Sequence, residues 1–487
     1  MRTFSLSQNT SFLTIAAVLQ KIISALFFFL VSWIVGTEQT AAYFNVFAAI
    51  AVFTVVADFG MNNVLTREAA REDAERAPIL FSQGLFFKIM FGLLALAALG
   101  TSKILLDYPG GAYGLTVVAG ITLWFDSVRS LMYAYLRAHK NVRFEAVGLV
   151  AAQCAITVVG ILMLVLKFPI IVLVSVFMVV SFFQTLYAMY CVKHYGGAAC
   201  IPRYDARLAR HMLREALPFA VAGIIAQVYA YQDAFIIHRY LPATDGGDWA
   251  RAYKIVFAFQ FIPISLGASM YPVISAAAGR DMGRTVWIIK RSYEYLLLIS
   301  LPIMAGITVV AEPLLHRYAP SFVPSFPVLR ILVWSLGFGF LWFAHGAILN
   351  GNRRQNIQTF FVGLACVTSI FINVFFVPRY GIEAAGVAAV VSNLLLWILG
   401  YVAISRFVAM PHRDLFWQTV RITAATAAMT SGVLVARLAQ VPPLFLVPIG
   451  VVAYGIGLVL FRALSADMLL MLRKKLAGRF SSSISAV

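Results

Sequence analysis

The side chains of this sequence best placed to do chemistry are the ionisable ones that fall inside apolar runs. A charge at bilayer depth is costly, so by default it faces a cavity or a partner rather than lipid. Lys21, Lys88, Arg129, Lys254 and Arg330 are the basic members of this set, Asp126 and Asp233 are its clear acids, and Asp58 and Arg421 lie nearer a boundary. The balance is cationic, which suits an anionic ligand, and lysine is a compact charge matched to phosphate. Lys21 stands about ten residues into its run, roughly 15 Å deep at the helical rise, beyond easy reach of either surface. Lys88 either snorkels to the nearer interface or converges with Lys21 on one anionic group.

Some of these charges find partners within the chain. Asp126 and Arg129 are three residues apart and can meet on one helix face. Asp233 and Lys254 flank the loop at 241 to 248 at depths that differ by about 3 Å, so a salt bridge between them is expected, as a gate or as a pin for the hairpin. Asp126 and Asp233 are also the candidates for gating or ion coupling. Asn45, Gln153, Gln227, Gln260 and His345 either line a hydrated cavity that meets sugar hydroxyls or bond one helix to another. Tyr229 shares a face with Asp233, and Phe257 and Phe261 share one with Lys254. No GxxxxGKS-type phosphate loop, HExxH pair or pair of membrane carboxylates at catalytic spacing is present. ATP hydrolysis by that route is thereby excluded, and neither an enzyme, a metal nor another cofactor is implied. Cys154 and Cys366 lie in apolar runs, and Cys191 and Cys200 flank a loop without CxxC spacing, so no zinc site or disulfide framework is suggested.

The elements that must hold these groups are membrane spans. Of the 487 residues 61% are apolar and 12% charged, whereas a soluble protein carries about 25% charged residues. The mean hydropathy is +0.87. A span needs about 20 apolar residues, and fourteen are expected, at 11 to 35, 39 to 60, 80 to 106, 112 to 136, 144 to 166, 169 to 192 and 216 to 240, then at 249 to 277, 291 to 315, 325 to 350, 356 to 377, 383 to 405, 415 to 438 and 444 to 463. An even number places both termini on one side. The net charge of +18 then sorts by topology. Groups such as Arg67, Arg71 and Arg76, Arg203, Arg207, Arg210 and Arg214, and Arg280, Arg284, Lys290 and Arg291 lie on the side of the termini. Only Lys103, Lys167, Arg239, Arg251, Arg317, Arg379 and Arg437 lie on the other. The first side is therefore expected to be cytoplasmic, and nucleic acid need not be invoked. The first run is too long for the apolar region of a cleavable signal and carries Lys21 in its middle.

Two cytoplasmic segments read as helices lying on the membrane surface, held by anionic lipid. In the first, Asp205 is a plausible N-cap, with Arg207, Arg210 and Arg214 on one face and Leu208 and Met212 on another. The second follows Ser465. Ala42, Tyr43, Phe47 and Ala48 recur in order as Ala252, Tyr253, Phe257 and Ala258, which suggests six spans repeated in parallel. The expected organisation is an N-lobe at 1–192, a linker at 193–215, a C-lobe at 216–405, two further spans at 406–463 and a cytoplasmic helix and tail at 464–487.

The stretch Ala57-Asp58-Phe59-Gly60 through Thr66-Arg67-Glu68, the turn Gly351-Asn352-Arg353, and Ile372-Asn373 to Pro378-Arg379-Tyr380-Gly381-Ile382 with Ala384-Ala385-Gly386-Val387-Ala388 carry a resemblance. Together with the span count, they resemble polysaccharide flippases of the Wzx type, within the multidrug/oligosaccharidyl-lipid/polysaccharide (MOP) exporter superfamily. The resemblance implies an all-α membrane protein with a MATE-like fold of two six-helix lobes plus two C-terminal helices. It also implies alternating-access transport of an undecaprenyl-diphosphate-linked oligosaccharide to the outer leaflet of a bacterial inner membrane, for polysaccharide biosynthesis. The last two spans would flank the lipid tail, and a polysaccharide polymerase and glycosyltransferases would be neighbours. Lys21, Lys88, Arg129, Lys254 and Arg330 would contact diphosphate or acidic sugars, an assignment that rests on their depth. The alternatives are a cation-coupled multidrug exporter of the same fold, which favours an acidic cavity, and a membrane polysaccharide polymerase or ligase, which needs a sizeable outer loop.

Overall fold

The computed structural model describes residues 6–69, 76–106, 112–139, 141–266 and 282–464. All regular structure among them is helical, as hydrocarbon requires, because each backbone N–H and C=O must there be satisfied within its own segment. The first spans are α1 (Leu6–Val35) and α2 (Thr37–Asp58), followed by a short helix α3 (Met61–Ala69). Next come α4 (Ala77–Leu106), α5 (Ala112–Ala138), α6 (Val142–Val165), α7 (Ile170–Cys191), α8 (Ala206–Tyr240) and α9 (Ala243–Ala258). The remainder are α10 (Met282–Tyr318), α11 (Phe326–Leu332), α12 (Ser335–Gly351), α13 (Gln355–Tyr380), α14 (Ile382–Ser405), α15 (His412–Leu438) and α16 (Pro443–Leu460).

Each expected span has a helical counterpart, with two departures from the simple count. Twelve helices among the described residues are long and apolar enough to cross a membrane, and the expected tenth span is a broken pair, Pro320–Leu332 and Ser335–Gly351, bent by 49°. The expected eighth is described only as α9 and a resumed helix over 261–266. Its remainder, and the expected surface helix after Ser465, lie outside the described residues. Val158, Val165, Phe183, Val451 and Val452 are 61–68% exposed, an apolar exterior suited to lipid rather than water.

Two compact units can be distinguished, residues 1–261 with 359–392 and residues 262–358 with 393–487. In the first, α2 packs against α4, α5, α8 and α9. In the second, α15 and α16 form a hairpin, and both pack on α10.

The linker differs from the surface helix read in the sequence. Asp205 does cap it, its carboxylate accepting from the N–H groups of Arg207 (2.9 Å) and Leu208 (2.8 Å). The helix it starts is α8, which continues through the membrane. Its inner stripe of Ala209, Met212 and Ala216 is buried with Met61, Leu65, Phe81 and Tyr135, so protein rather than lipid covers it. Arg207, Arg210 and Arg214 stay exposed on the other side.

That docking depends on the turn between α2 and α3. Phe59 (φ 45°) and Gly60 (φ 75°) are both left-handed, and a Cβ on Gly60 would stand 2.7 Å from the carbonyl oxygen of Ala216. Met61, Val64 and Leu65 then recur at helical spacing and are fully buried. Gly60→Val is expected to destabilise the protein by about 1–3 kcal/mol, combining the strained φ with the backbone clash. A lowered thermal midpoint in detergent is the readout, and an unchanged midpoint would contradict the close approach.

Candidate functional site

Lys21 and Lys254 meet at one cavity of about 410 Å³ in the first unit. α1 contributes Gln20, Lys21, Ser24 and Phe29, α9 contributes Lys254 and Phe257, and the resumed helix at 261–266 contributes Phe261. The spacing explains the convergence, because residues three and four apart share a helix face. No carboxylate is among the lining residues. The Nζ of Lys254 lies 5.2 Å from the ring centre of Phe28 and 5.9 Å from that of Phe44. Such cation–π contacts hold an ammonium in place without neutralising it. Among the described residues, no ion pair involves Lys21 or Lys254. Among the described residues, the cavity therefore holds two basic side chains with no paired carboxylate, beside aromatic rings and two neutral hydrogen-bonding side chains.

The other basic candidates stand elsewhere. Lys88 neither snorkels nor lines this cavity. Its side chain is 0% exposed and is ion-paired with Asp58 at the end of α2. Ser130 on α5 accepts a further hydrogen bond from it at 3.2 Å. The reason is geometric: Asp58, assigned to the boundary in the sequence, is brought by α2–α4 packing onto the lysine. Arg129 and Asp126 pair at 2.7 Å as their spacing predicts, and the guanidinium also lies 5.8 Å from the ring of Tyr133. Arg330 belongs to α11 in the second unit and is exposed, 6.0 Å from the ring of Phe326.

The expected Asp233–Lys254 salt bridge is not formed. Asp233 is buried at 7% exposure, and its carboxylate accepts from the side-chain amides of Gln232 and Asn373. Gln232 also donates to Ser369 at 2.9 Å. Similar depth did not bring the pair together, because Asp233 faces α13 while Lys254 faces the rings of α1 and α2. Nothing in the spacing of the chain marks Asn373 and Ser369 as partners of Asp233 and Gln232, although Asn373 stands in the stretch from Ile372 to Ile382 that carries the family resemblance. His345 is fully buried and bonds helix to helix through Tyr293.

Arg251 departs furthest from its expected place. Sorted by the sequence among solvent-side charges, it is 1% exposed. Its Nε donates to the hydroxyl of Ser32 at 2.8 Å and a terminal nitrogen donates to the Ser32 carbonyl at 3.2 Å. Asp248 lies 3.4 Å away. At the other end of the same unit, Arg67 of α3 pairs with Glu215 of α8 at 2.6 Å and with Glu68 at 2.9 Å. The Glu215 carboxylate, chiefly through that hydrogen bond, holds the Arg67 guanidinium above its ordinary pKa.

Fold and cavity together define a class: a many-span, all-helical membrane protein with a cationic pocket among its helices. The sequence profile of polysaccharide biosynthesis proteins matches residues 6–278, and the chain belongs to that family. The solved structure of the lipid II flippase MurJ in an inward closed conformation is similar, with a TM-score of 0.74 and 14% identity over 94% of this chain and 98% of that one. An inward-facing multidrug resistance MATE family transporter of the MOP superfamily is also similar, with a TM-score of 0.66 and 15% identity over 81% of this chain and 95% of that one. The fold is therefore MATE-like, as expected. Among curated proteins, the probable flippase AglR of Haloferax volcanii is 25% identical over 186 residues, 37% of this chain and 39% of that protein. The chain spans about two-fifths of the length of the curated relatives it matches.

Proposed function

We propose that this protein moves an undecaprenyl-diphosphate-linked oligosaccharide from the cytoplasmic to the outer leaflet of a bacterial inner membrane, with both termini cytoplasmic. The observation that carries this reading is the meeting of Lys21 and Lys254, neither of them ion-paired among the described residues, at one cavity without a lining carboxylate. Two ammonium groups hold a diphosphate, and Gln20 and Ser24 supply neutral hydrogen bonds to the sugar next to it. The lipid tail stays in hydrocarbon, and the two halves rock to expose the headgroup to the other side. Lys88, Arg129 and Arg330 are secondary contacts in this proposal. Arg129 is the foremost of them, because its buried Nε has no hydrogen-bond partner among the described residues. A cationic drug would meet two like charges in the same cavity, which disfavours multidrug export.

The proposed ion-coupling group is Asp233, a buried carboxylate held by neutral amides rather than by a cation. Asp126, already paired with Arg129, takes the gating role. Asp233→Asn preserves shape and removes the titratable charge, so flipping by this variant should lose its dependence on an imposed pH gradient. A gradient response equal to the parent's would exclude Asp233.

The test of the whole reading is reconstitution into vesicles with a fluorescent lipid-linked oligosaccharide and a leaflet-accessibility assay, with and without a pH gradient. Label should change leaflet faster in protein-containing vesicles than in empty ones. Equal rates would refute the proposal.

A further inference from the structure

The first unit is fastened at both ends of a single seam. One side of the seam is α2 with α3, together with the end of α1. The other is α8 with α9. α2 has 22 residues, which at the helical rise spans about 33 Å, close to the thickness of a bilayer core of about 30 Å.

At the end of α1, Arg251 of α9 donates to the side chain and backbone of Ser32. The Thr40 hydroxyl of α2, which donates to the Gly36 carbonyl at 2.6 Å, lies at hydrogen-bond distance, 3.0 Å, from the same Ser32 hydroxyl. The helices touch here, since a Cβ on Gly246 would stand 3.3 Å from the Cβ of Ala41. At the other end Arg67 pairs with Glu215, beside the contact of Gly60 with Ala216. The cavity of Lys21 and Lys254 flanks the seam between the two.

We propose that these contacts are two latches, an outer one at Arg251–Ser32 and an inner one at Arg67–Glu215, released one at a time. The inference rests on the alternating-access reading above and adds the residues that time it. It also makes the two ends unequal. Arg67 and Glu215 have side chains 34% and 38% exposed, so salt screens the inner latch. Arg251 is 1% exposed, so its bonds are screened much less. Raised ionic strength therefore opens the inner end selectively.

The experiment reads the cavity from each face. Ser24→Cys places a thiol on its wall, and a membrane-impermeant maleimide is applied to right-side-out and to inverted vesicles, with the labelling of the parent chain subtracted. Arg251→Ala, and Ser32→Ala as the milder change, should raise outer-face labelling. The expected increase for Arg251→Ala is about tenfold, the shift that losing a charge-assisted hydrogen bond produces. An Ala41→Cys/Gly246→Cys disulfide, whose Cβ separation is near the natural range, should cancel that increase. Arg67→Glu, or high salt on the Ser24→Cys chain with no further change, should raise inner-face labelling instead, and Arg67→Glu with Glu215→Arg should restore the ratio of the Ser24→Cys chain.

Unchanged face ratios, or a rise on both faces in every variant, would overturn the latches. The cargo reading fails separately. If the ratios shift as stated while the parent chain, without the reporter cysteine, flips no lipid-linked oligosaccharide, the latches stand and the substrate is wrong. If flipping proceeds with ratios fixed, the latches fall and the substrate stands.

Discussion

Lys21→Ala combined with Lys254→Ala should lower the flipping rate of a lipid-linked oligosaccharide about a hundredfold, the combined loss of two charge-assisted contacts to phosphate. The protein should still reach the membrane at its parental level. Neither lysine is ion-paired among the described residues, so removing them strands no opposite charge. Lys254 gives up its contacts with the rings of Phe28 and Phe44, each worth about 0.5–2 kcal/mol at this partial burial. Lys21 is exposed on the helix surface and leaves no void. Arginine at both positions keeps the charge but not the compact geometry, so the double arginine variant should retain intermediate activity. Parental flipping by the double alanine variant would end the cavity's claim to the cargo.

Asp58→Ala should be the most damaging single change to stability. It leaves the ammonium of Lys88 with 0% exposure and no carboxylate. Stranding one member of a buried pair costs about 3–5 kcal/mol. The Ser130 hydroxyl, 3.2 Å away, is a neutral acceptor and does not replace the lost charge. Removing both charges, as in Asp58→Leu with Lys88→Met, should recover most of the loss, because a well-packed apolar replacement of a buried pair is often neutral or better. Thermal midpoint and monodisperse yield in detergent are the measurements. If the single variant melts with the parent, the pair has no structural role and Lys88 returns to the list of free cavity cations.

This pair also shows what spacing along the chain conveys. Asp126 with Arg129 was legible because residues three apart meet on any helix, and they pair at 2.7 Å. The cap at Asp205 was legible for the same local reason. The turn at Gly381, quoted as part of a signature, has φ 69° and separates α13 from α14, a conformation glycine adopts without cost. Asp58 and Lys88 are 30 residues apart on different helices, and nothing in either run specifies that their faces meet. The Asp233–Lys254 expectation failed for that reason. Similar distances from the connecting loop make the pair plausible, but rotation of the two helices about their axes decides the partners.

Arg251 shows the same limit from the other side. Charge sorting treats each basic residue near a span end as bathed in water, yet this one is 1% exposed and bonded to Ser32 and Asp248. The linker showed it again, since an amphipathic segment looks alike whether its apolar stripe meets lipid or Met61 and Leu65.

By itself the sequence determined the membrane class, the order of the spans, the cationic surplus at bilayer depth and the contacts between residues one helical turn apart. These follow from composition and from a period of 3.6 residues, which are properties of each segment alone. Tertiary structure alone decided which cations stay uncompensated, that Lys21 and Lys254 share one cavity while Lys88 is paired with Asp58, and that Arg251 fastens α9 to α1. Those outcomes depend on how each helix is rotated against its neighbours, which is set by the packing of whole faces and is written in no single stretch of the chain.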